Sequence, residues 1–450
     1  MEEIHTEKTG NLSDLQALLA QEDVEAIRDL IEPLHPADIS GLLASLPPDA
    51  RQSVFSQIPL FLTGEVLLEL PESIRADLMS EMDHKSIVAA AQSLDTDDIA
   101  DLLPELPDEV IAQILFSLDK QDRQRLEAVL PYPEDTAGGL MNVDAITVRE
   151  NIALEVVFRY LRVRHELPEG TNKLFVVDRA DRLIGTLLLG PLLTSDPQTR
   201  VGQVMDRDPV KFDAMTPEKE VAAAFERYNL ISAPVVGDDG RLLGRITVDD
   251  VVDVMREEAA RSVMAPAGLS EQEDIFAPVA RSSRNRSLWL GINLVTAVLA
   301  SWVIGFFEST IEKAVALAVL MPIVASMGGN AGTQTVVMVV RGLALGNITH
   351  GNTRRVLMKE LAVGIVNSLL WAVAVAAIVL VWYRNPLLAG VIAIAMVINL
   401  LFAALSGVLI PLALRRLGID PAIASGVILT TVTDVVGFLA FLGLAALVLA

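Results

Sequence analysis

One carboxylate in the last apolar stretch sets the chemistry of this chain. Asp434 stands within a run, 421–449, long enough to cross a bilayer. A charge at that depth costs roughly 2.5–3.5 kcal/mol or more, so it is kept where it meets water, an ion or a partner. Thr430, Thr431 and Asp434 fall at i, i+1 and i+4 and share one side of a helix whose other sides are Val, Phe, Leu and Ala. A polar stripe on an apolar helix has the chemistry of a pore or transport-site lining. The alternatives are a carboxylate paired with arginine and a polar helix–helix contact, but no base lies deep in the C-terminal apolar runs.

The remaining residue types narrow the ion. Cysteine is absent, which excludes disulfides and thiolate metal sites. His5, His35, His84, His165 and His350 all fall outside the apolar runs. A metal ion inside the bilayer would meet oxygen ligands, which suit Mg²⁺ and Ca²⁺ better than Zn²⁺ or Cu⁺.

The elements that must position Asp434 are five apolar runs, roughly 288–307, 314–340, 360–383, 387–414 and 421–449, each near the ~20 residues a crossing helix needs. The second contains Met321-Pro322 and Gly328-Gly329-Asn330-Ala331-Gly332-Thr333-Gln334, and is expected to be broken there, with Asn330 and Gln334 on one face towards a cavity. Tight packing through small residues is the other reading. Nine bases flank one side of the runs and only Lys313 and Arg384 the other. The N-terminus is therefore expected in the cytoplasm and the C-terminus outside. Glu308 and Glu312 then lie at the outer mouth, as cation attractors or as ordinary loop acids. The N-terminal residues have no apolar core, so no cleaved signal is expected.

Charge divides the chain. Residues 287–450 carry eight bases and five acids, a balance of +3, whereas the whole chain stands at −23, leaving −26 for the first 286 residues. Such an acidic soluble part excludes nucleic acid as a partner and suits solubility or the gathering of cations. No Gly-Lys pair occurs, so there is no P-loop, and no enzymatic activity is expected.

Within the acidic part, 132–257 holds an internal repeat. Arg182-Leu183-Ile184-Gly185 recurs 59 residues later as Arg241-Leu242-Leu243-Gly244, each within a strand–turn–strand–helix pattern. Residues 1–131 read as a helical superhelix: Asp or Pro starts each helix and Leu-Pro closes it. Residues 258–286 read as a connecting helix lying along the membrane surface or as a plain linker, and 287–450 as the membrane domain.

The repeat resembles a tandem pair of CBS domains. The stretches Tyr132-Pro133-Glu134-Asp135-Thr136-Ala137-Gly138-Gly139-Leu140-Met141, Gly328 to Gln334, Gly305-Phe306-Phe307-Glu308 and Thr433-Asp434-Val435-Val436-Gly437, with the order of the regions, give the whole chain a resemblance to the MgtE family of magnesium channels and transporters. The resemblance implies a multidomain protein: an all-α N-terminal domain, an α/β CBS pair, a connecting (plug) helix and five membrane helices. It implies a homodimer, multi-pass in the lipid of the inner or plasma membrane, that imports Mg²⁺ and is gated by intracellular Mg²⁺. Asp434 matches the family's pore carboxylate, with Thr430, Thr431, Asn330 and Glu308 in support. Asp97, Asp101, Asp250, Asp253 and Glu258 match positions where cytoplasmic Mg²⁺ bridges domains. Gly244, Thr247 and Asp250 match the CBS pattern for ATP or another adenine nucleotide, which the first copy lacks. Arg261 and Ser262 stand where family members carry further acids, and Gly426 where some carry Asn.

Overall fold

Proline and aspartate punctuate the N-terminal helices. Pro36 and Pro48 open helices at the first turn, where the missing N–H has no partner to lose. Pro59, Pro71 and Pro107 sit at N-caps. Asp23 and Asp83 accept from the backbone N–H of Ala26 and Ser86 at 3.1 and 2.7 Å. The computed structural model describes residues 2–94, 96–103, 106–118, 120–164, 167–168, 170–269, 273–349 and 351–449, with side chains for all of these except 2–10, 96, 97, 101, 120–122, 266 and 449. Two units result: Met1–Ala259 with Gln272–Pro278, and Ala260–Glu271 with Val279–Ala450.

In the first unit, ten helices are described between Glu2 and Val129. Alternate helices stack: Pro36–Leu43 on Leu60–Leu68, that on His84–Ala91, and that on Asp108–Ser117. The aliphatic residues before Pro47, Pro59, Pro71 and Pro107, namely Leu46, Ile58, Leu70 and Leu106, are buried in their common core. The expected superhelix is therefore held by a repeated device, a buried aliphatic followed by a breaker.

The repeat builds two small sheets. Strands β1 (Thr147–Val148), β2 (Lys173–Val177) and β3 (Leu183–Leu188) form the first, and β4 (Phe212–Asp213), β5 (Ser232–Val236) and β6 (Leu242–Thr247) the second. In each, the short strand pairs in parallel and the other two pair antiparallel, with an irregularity at Val176/Val177 and at its equivalent Val235/Val236. The copies meet edge to edge: Leu183 N donates to Gly240 O and Leu242 N to Asp181 O, both at 3.0 Å. At the other end Lys173 Nζ donates to the carbonyl of Ser232, its own counterpart 59 residues on, at 2.8 Å. The last helix, Val248–Met264, starts from β6. It is followed by a short turn at Ala265–Ala267, and the next helix begins only at Val279. The connecting segment is thus helical at its two ends, with turns at 275–276, rather than one helix throughout.

Five helices of the second unit are long and apolar enough to cross a membrane: Val279–Gly305, Ala316–Ala344, Thr353–Tyr383, Pro386–Arg416 and Pro421–Leu449. They are called here the first to fifth membrane helices. The second corrects an expectation. It runs unbroken through Pro322 and through the glycine run. The glycines serve close approach instead: a Cβ on Gly328 would lie 2.3 Å from Asn399 Nδ2, and one on Gly332 2.7 Å from Leu429. The fourth helix is the most buried of the five and packs against the second, third and fifth.

Candidate functional site

The fifth membrane helix has a packing stripe and, one residue round from it, a polar stripe. Ser425, Leu429, Thr433, Gly437 and Phe441 recur every fourth residue and are buried. Thr430 is exposed, and Thr431 and Asp434 are half-buried, on the border of that stripe. The hydroxyls of Thr430 and Thr431 donate to the carbonyls of Gly426 and Val427 at 2.9 and 2.8 Å. Their donors are thereby used and their lone pairs still face outward as acceptors. With the Asp434 carboxylate they make a strip of oxygen acceptors, suited to a hard cation or to the water shell it carries.

Asn330 lies exposed on the second membrane helix, with Nδ2 3.3 Å from Ser326 Oγ one turn earlier. The second and fifth helices touch at Gly332 and Leu429, so Asn330 and Asp434 belong to directly packed neighbours. Glu308 is exposed at the first position of the short helix Glu308–Lys313, between the first and second membrane helices.

The soluble candidates already have partners. Asp250 accepts from Thr247 Oγ1 at 2.9 Å and from Thr247 N at 3.3 Å. Thr247 immediately precedes the Val248–Met264 helix, so this is the reciprocal arrangement of a helix cap. Asp253 lies 3.6 Å from Arg256, and Glu258 2.6 Å from Lys219 Nζ. Gly244 has a packing role: a Cβ there would lie 2.5 Å from the carbonyl of Asn142, just as one on its counterpart Gly185 would lie 2.4 Å from that of Asp206. Among the described residues no three acidic or histidine side chains converge on one point. Asp97 and Asp101 lie outside the described side chains.

Asn399 was missed by sequence reasoning. It is the single amide of the fourth membrane helix and is fully buried, with Nδ2 donating to Val324 O at 2.8 Å. A lone amide midway along an apolar run was the signal available.

Three family descriptions match the chain: a divalent cation transporter domain over 321–444, the MgtE intracellular N domain over 34–135 and a CBS domain over 201–257. The magnesium transporter MgtE of Thermus thermophilus is 34% identical over 441 residues, covering 97% of this chain and 98% of that protein. The magnesium transporter MgtE of Bacillus subtilis is 29% identical, covering 95% of each. A solved structure, the cytosolic domain of the Mg²⁺ channel MgtE in complex with ATP, is 34% identical over 54% of this chain and 99% of its own, with a TM-score of 0.49. These relatives are named as transport proteins, not enzymes, and the likeness runs through all three regions of the sequence. The chain belongs to the MgtE family of divalent cation transporters.

Proposed function

We propose that this chain imports Mg²⁺ across the inner or plasma membrane as a homodimer. The observation that carries the reading is Asp434, a half-buried carboxylate flanked by Thr430 and Thr431 on the open border of a membrane helix whose other stripe is packed. A single copy leaves that strip facing outward. A two-fold axis would bring two such strips face to face, and an isologous contact does this with one surface. Two carboxylates across an axis hold a divalent ion through its waters, which suits Mg²⁺ because it dehydrates reluctantly. Asn330 adds amide groups from the neighbouring helix, and Glu308 adds charge at the outer mouth. The near full-length likeness to proteins named magnesium transporters supports the choice of ion. The N-terminus faces the cytoplasm by the distribution of bases.

Regulation by cytoplasmic Mg²⁺ is part of the same reading. The first 286 residues carry a charge of −26, and bound divalent ions relieve their self-repulsion. The ions would draw on Asp97, Asp101, Asp250, Asp253 and Glu258 and stabilise a closed state. ATP or another adenine nucleotide is a further ligand of the CBS pair. Thr247 stands at the N-terminus of the Val248–Met264 helix, whose backbone N–H groups favour phosphate, and Gly170 of the first copy lies against Thr247.

Uptake into proteoliposomes, with competing divalent ions outside and Mg²⁺ varied on the cytoplasmic face, tests the reading. Mg²⁺ entry that falls as cytoplasmic Mg²⁺ rises is the result expected. No uptake of any divalent ion would defeat it.

A further inference from the structure

Asn399 is held where three membrane helices meet. Its side chain is fully buried, and Nδ2 donates to the carbonyl of Val324 on the second helix at 2.8 Å. Two glycines make room for the amide. A Cβ on Gly328 of the second helix would lie 2.3 Å from Nδ2 and 2.9 Å from Oδ1, and one on Gly437 of the fifth would lie 2.8 Å from Nδ2. Gly437 stands three residues after Asp434, and Gly328 two residues before Asn330. The amide therefore fills the notch between the two helix segments that carry the candidate ion path.

Apolar packing alone does not explain an amide here. An amide in hydrocarbon is costly unless hydrogen-bonded, and small residues would close the notch without it. This amide is satisfied only in part: Nδ2 has its bond to Val324 O, whereas Oδ1 is buried and has no hydrogen-bond partner among the described residues. A residue kept simply to join helices would have both ends engaged. The donor, by contrast, fixes one point of the second helix to the fourth, and the same side chain packs against the fifth one turn from Asp434.

We propose that Asn399 is a positioning residue for cation passage. Its hydrogen bond to Val324 and its seat between Gly328 and Gly437 set how closely the second and fifth helices approach, and so where Asp434 stands relative to Asn330. The proposal rests on the transport reading given above.

The full-length protein in proteoliposomes tests it. Asn399→Val removes the donor, and Asn399→Thr keeps a hydroxyl donor at nearly the same size. Hydrogen bonds between membrane helices correspond to roughly 3- to 15-fold in an equilibrium. The Val variant is expected to raise the half-saturating Mg²⁺ concentration by about that factor and to weaken preference for Mg²⁺ over Ca²⁺, with Thr restoring both. A purely structural role would lower the amount of folded protein and the maximal rate but leave half-saturation and ion preference unchanged. The absence of native cysteine allows a measurement independent of flux: spin labels on Met338→Cys and Leu439→Cys, both exposed positions on the second and fifth helices. Their separation is expected to shift or broaden in the Val variant and to recover with Thr. If Asn399→Val yields no folded protein, Asn399→Ala against Asn399→Ser repeats the comparison. Wild-type half-saturation, preference and distance in the folded donor-less variant would overturn the proposal, as would equal defects in the donor-bearing one. A wild-type protein that takes up no divalent ion defeats the transport reading instead, and the spin-label distances then judge Asn399 alone.

Discussion

Arg51 and Asp274 form a buried ion pair, Nη1 to Oδ2 at 2.9 Å, with 2% and 6% of their side chains exposed. The two residues are 223 positions apart. Arg51 lies in the N-terminal helix Pro48–Phe55, and Asp274 lies five residues before the first membrane helix begins. Every nitrogen of the guanidinium is engaged, since Nε donates to Leu43 O and Nη2 to Leu46 O, both at 3.0 Å. Asp274 in turn caps its own turn by accepting from Phe276 N. The segment that leads into the membrane helix is thus fastened to the N-terminal superhelix, with which it forms one unit.

Asp274→Ala replaces none of the proposed ion ligands and tests this contact alone. It leaves a buried arginine charge without its counter-charge, a change that typically costs about 3–5 kcal/mol. The expected outcome is a lower unfolding transition for the soluble unit and faster proteolytic cleavage within 272–278. Identical melting and cleavage in the variant would show that the pair does not hold this segment.

Asp434→Asn keeps shape and removes charge. If the carboxylate faces its two-fold mate across an ion path, the variant should fold and dimerise as wild type does but lose at least about tenfold in Mg²⁺ flux, since two charges are removed per pore. Uptake by the purified variant, with dimer content measured on the same sample, decides this. Wild-type flux would remove Asp434 from the path.

Gly185 and Gly244 separate packing from ligand binding. Each meets a backbone carbonyl, Asp206 O and Asn142 O, within 2.5 Å of where a Cβ would stand. Alanine at either position forces the backbone to move and should cost about 1–3 kcal/mol. Only the second copy carries Thr247 and Asp250 after its glycine; the first has Leu188 and Pro191 at the equivalent positions. Equal destabilisation by the two substitutions in thermal melts marks both glycines as packing residues. Loss of nucleotide binding in Gly244→Ala alone, with stability intact, would show a direct contact instead.

The spans were legible because a bilayer leaves the backbone no other choice: five apolar runs had to be helices, and they are. The CBS pair was legible because duplication repeats its own register, down to the irregularity at Val176 and Val235. The glycine run misled because Gly328 and Gly332 look alike in sequence whether they break a helix or admit a neighbour. Which of the two they do is decided by Asn399 and Leu429, about 70 and 100 residues away. Asp274 was illegible for the same reason. One acid among the chain's 58 gives no sign of a buried arginine more than 200 residues earlier. Local pattern reveals elements, whereas long-range polar contacts need the fold.

That contact changes how a truncation must be read. Removing residues 1–131 takes away Asp97 and Asp101, the proposed ion ligands of the superhelix, and also Arg51, so Asp274 loses its partner. Loss of the acids should move the curve of inhibition by cytoplasmic Mg²⁺ to higher concentration by about tenfold, within the usual size of coupling between sites. Abolition is not expected, because Asp250, Asp253 and Glu258 remain. Loss of Arg51 should instead free segment 272–278 whatever the Mg²⁺ concentration. Two full-length variants separate these effects. Asp97→Ala with Asp101→Ala keeps the ion pair and should shift the inhibition curve alone. Asp274→Ala keeps the acids and should raise cleavage at 272–278 in chelator and in Mg²⁺ alike. The truncated protein should show the shift in full. Inhibition at unchanged Mg²⁺ in both the truncated protein and the double-acid variant would remove the superhelix from gating and leave the CBS pair and the Val248–Met264 helix to sense the ion.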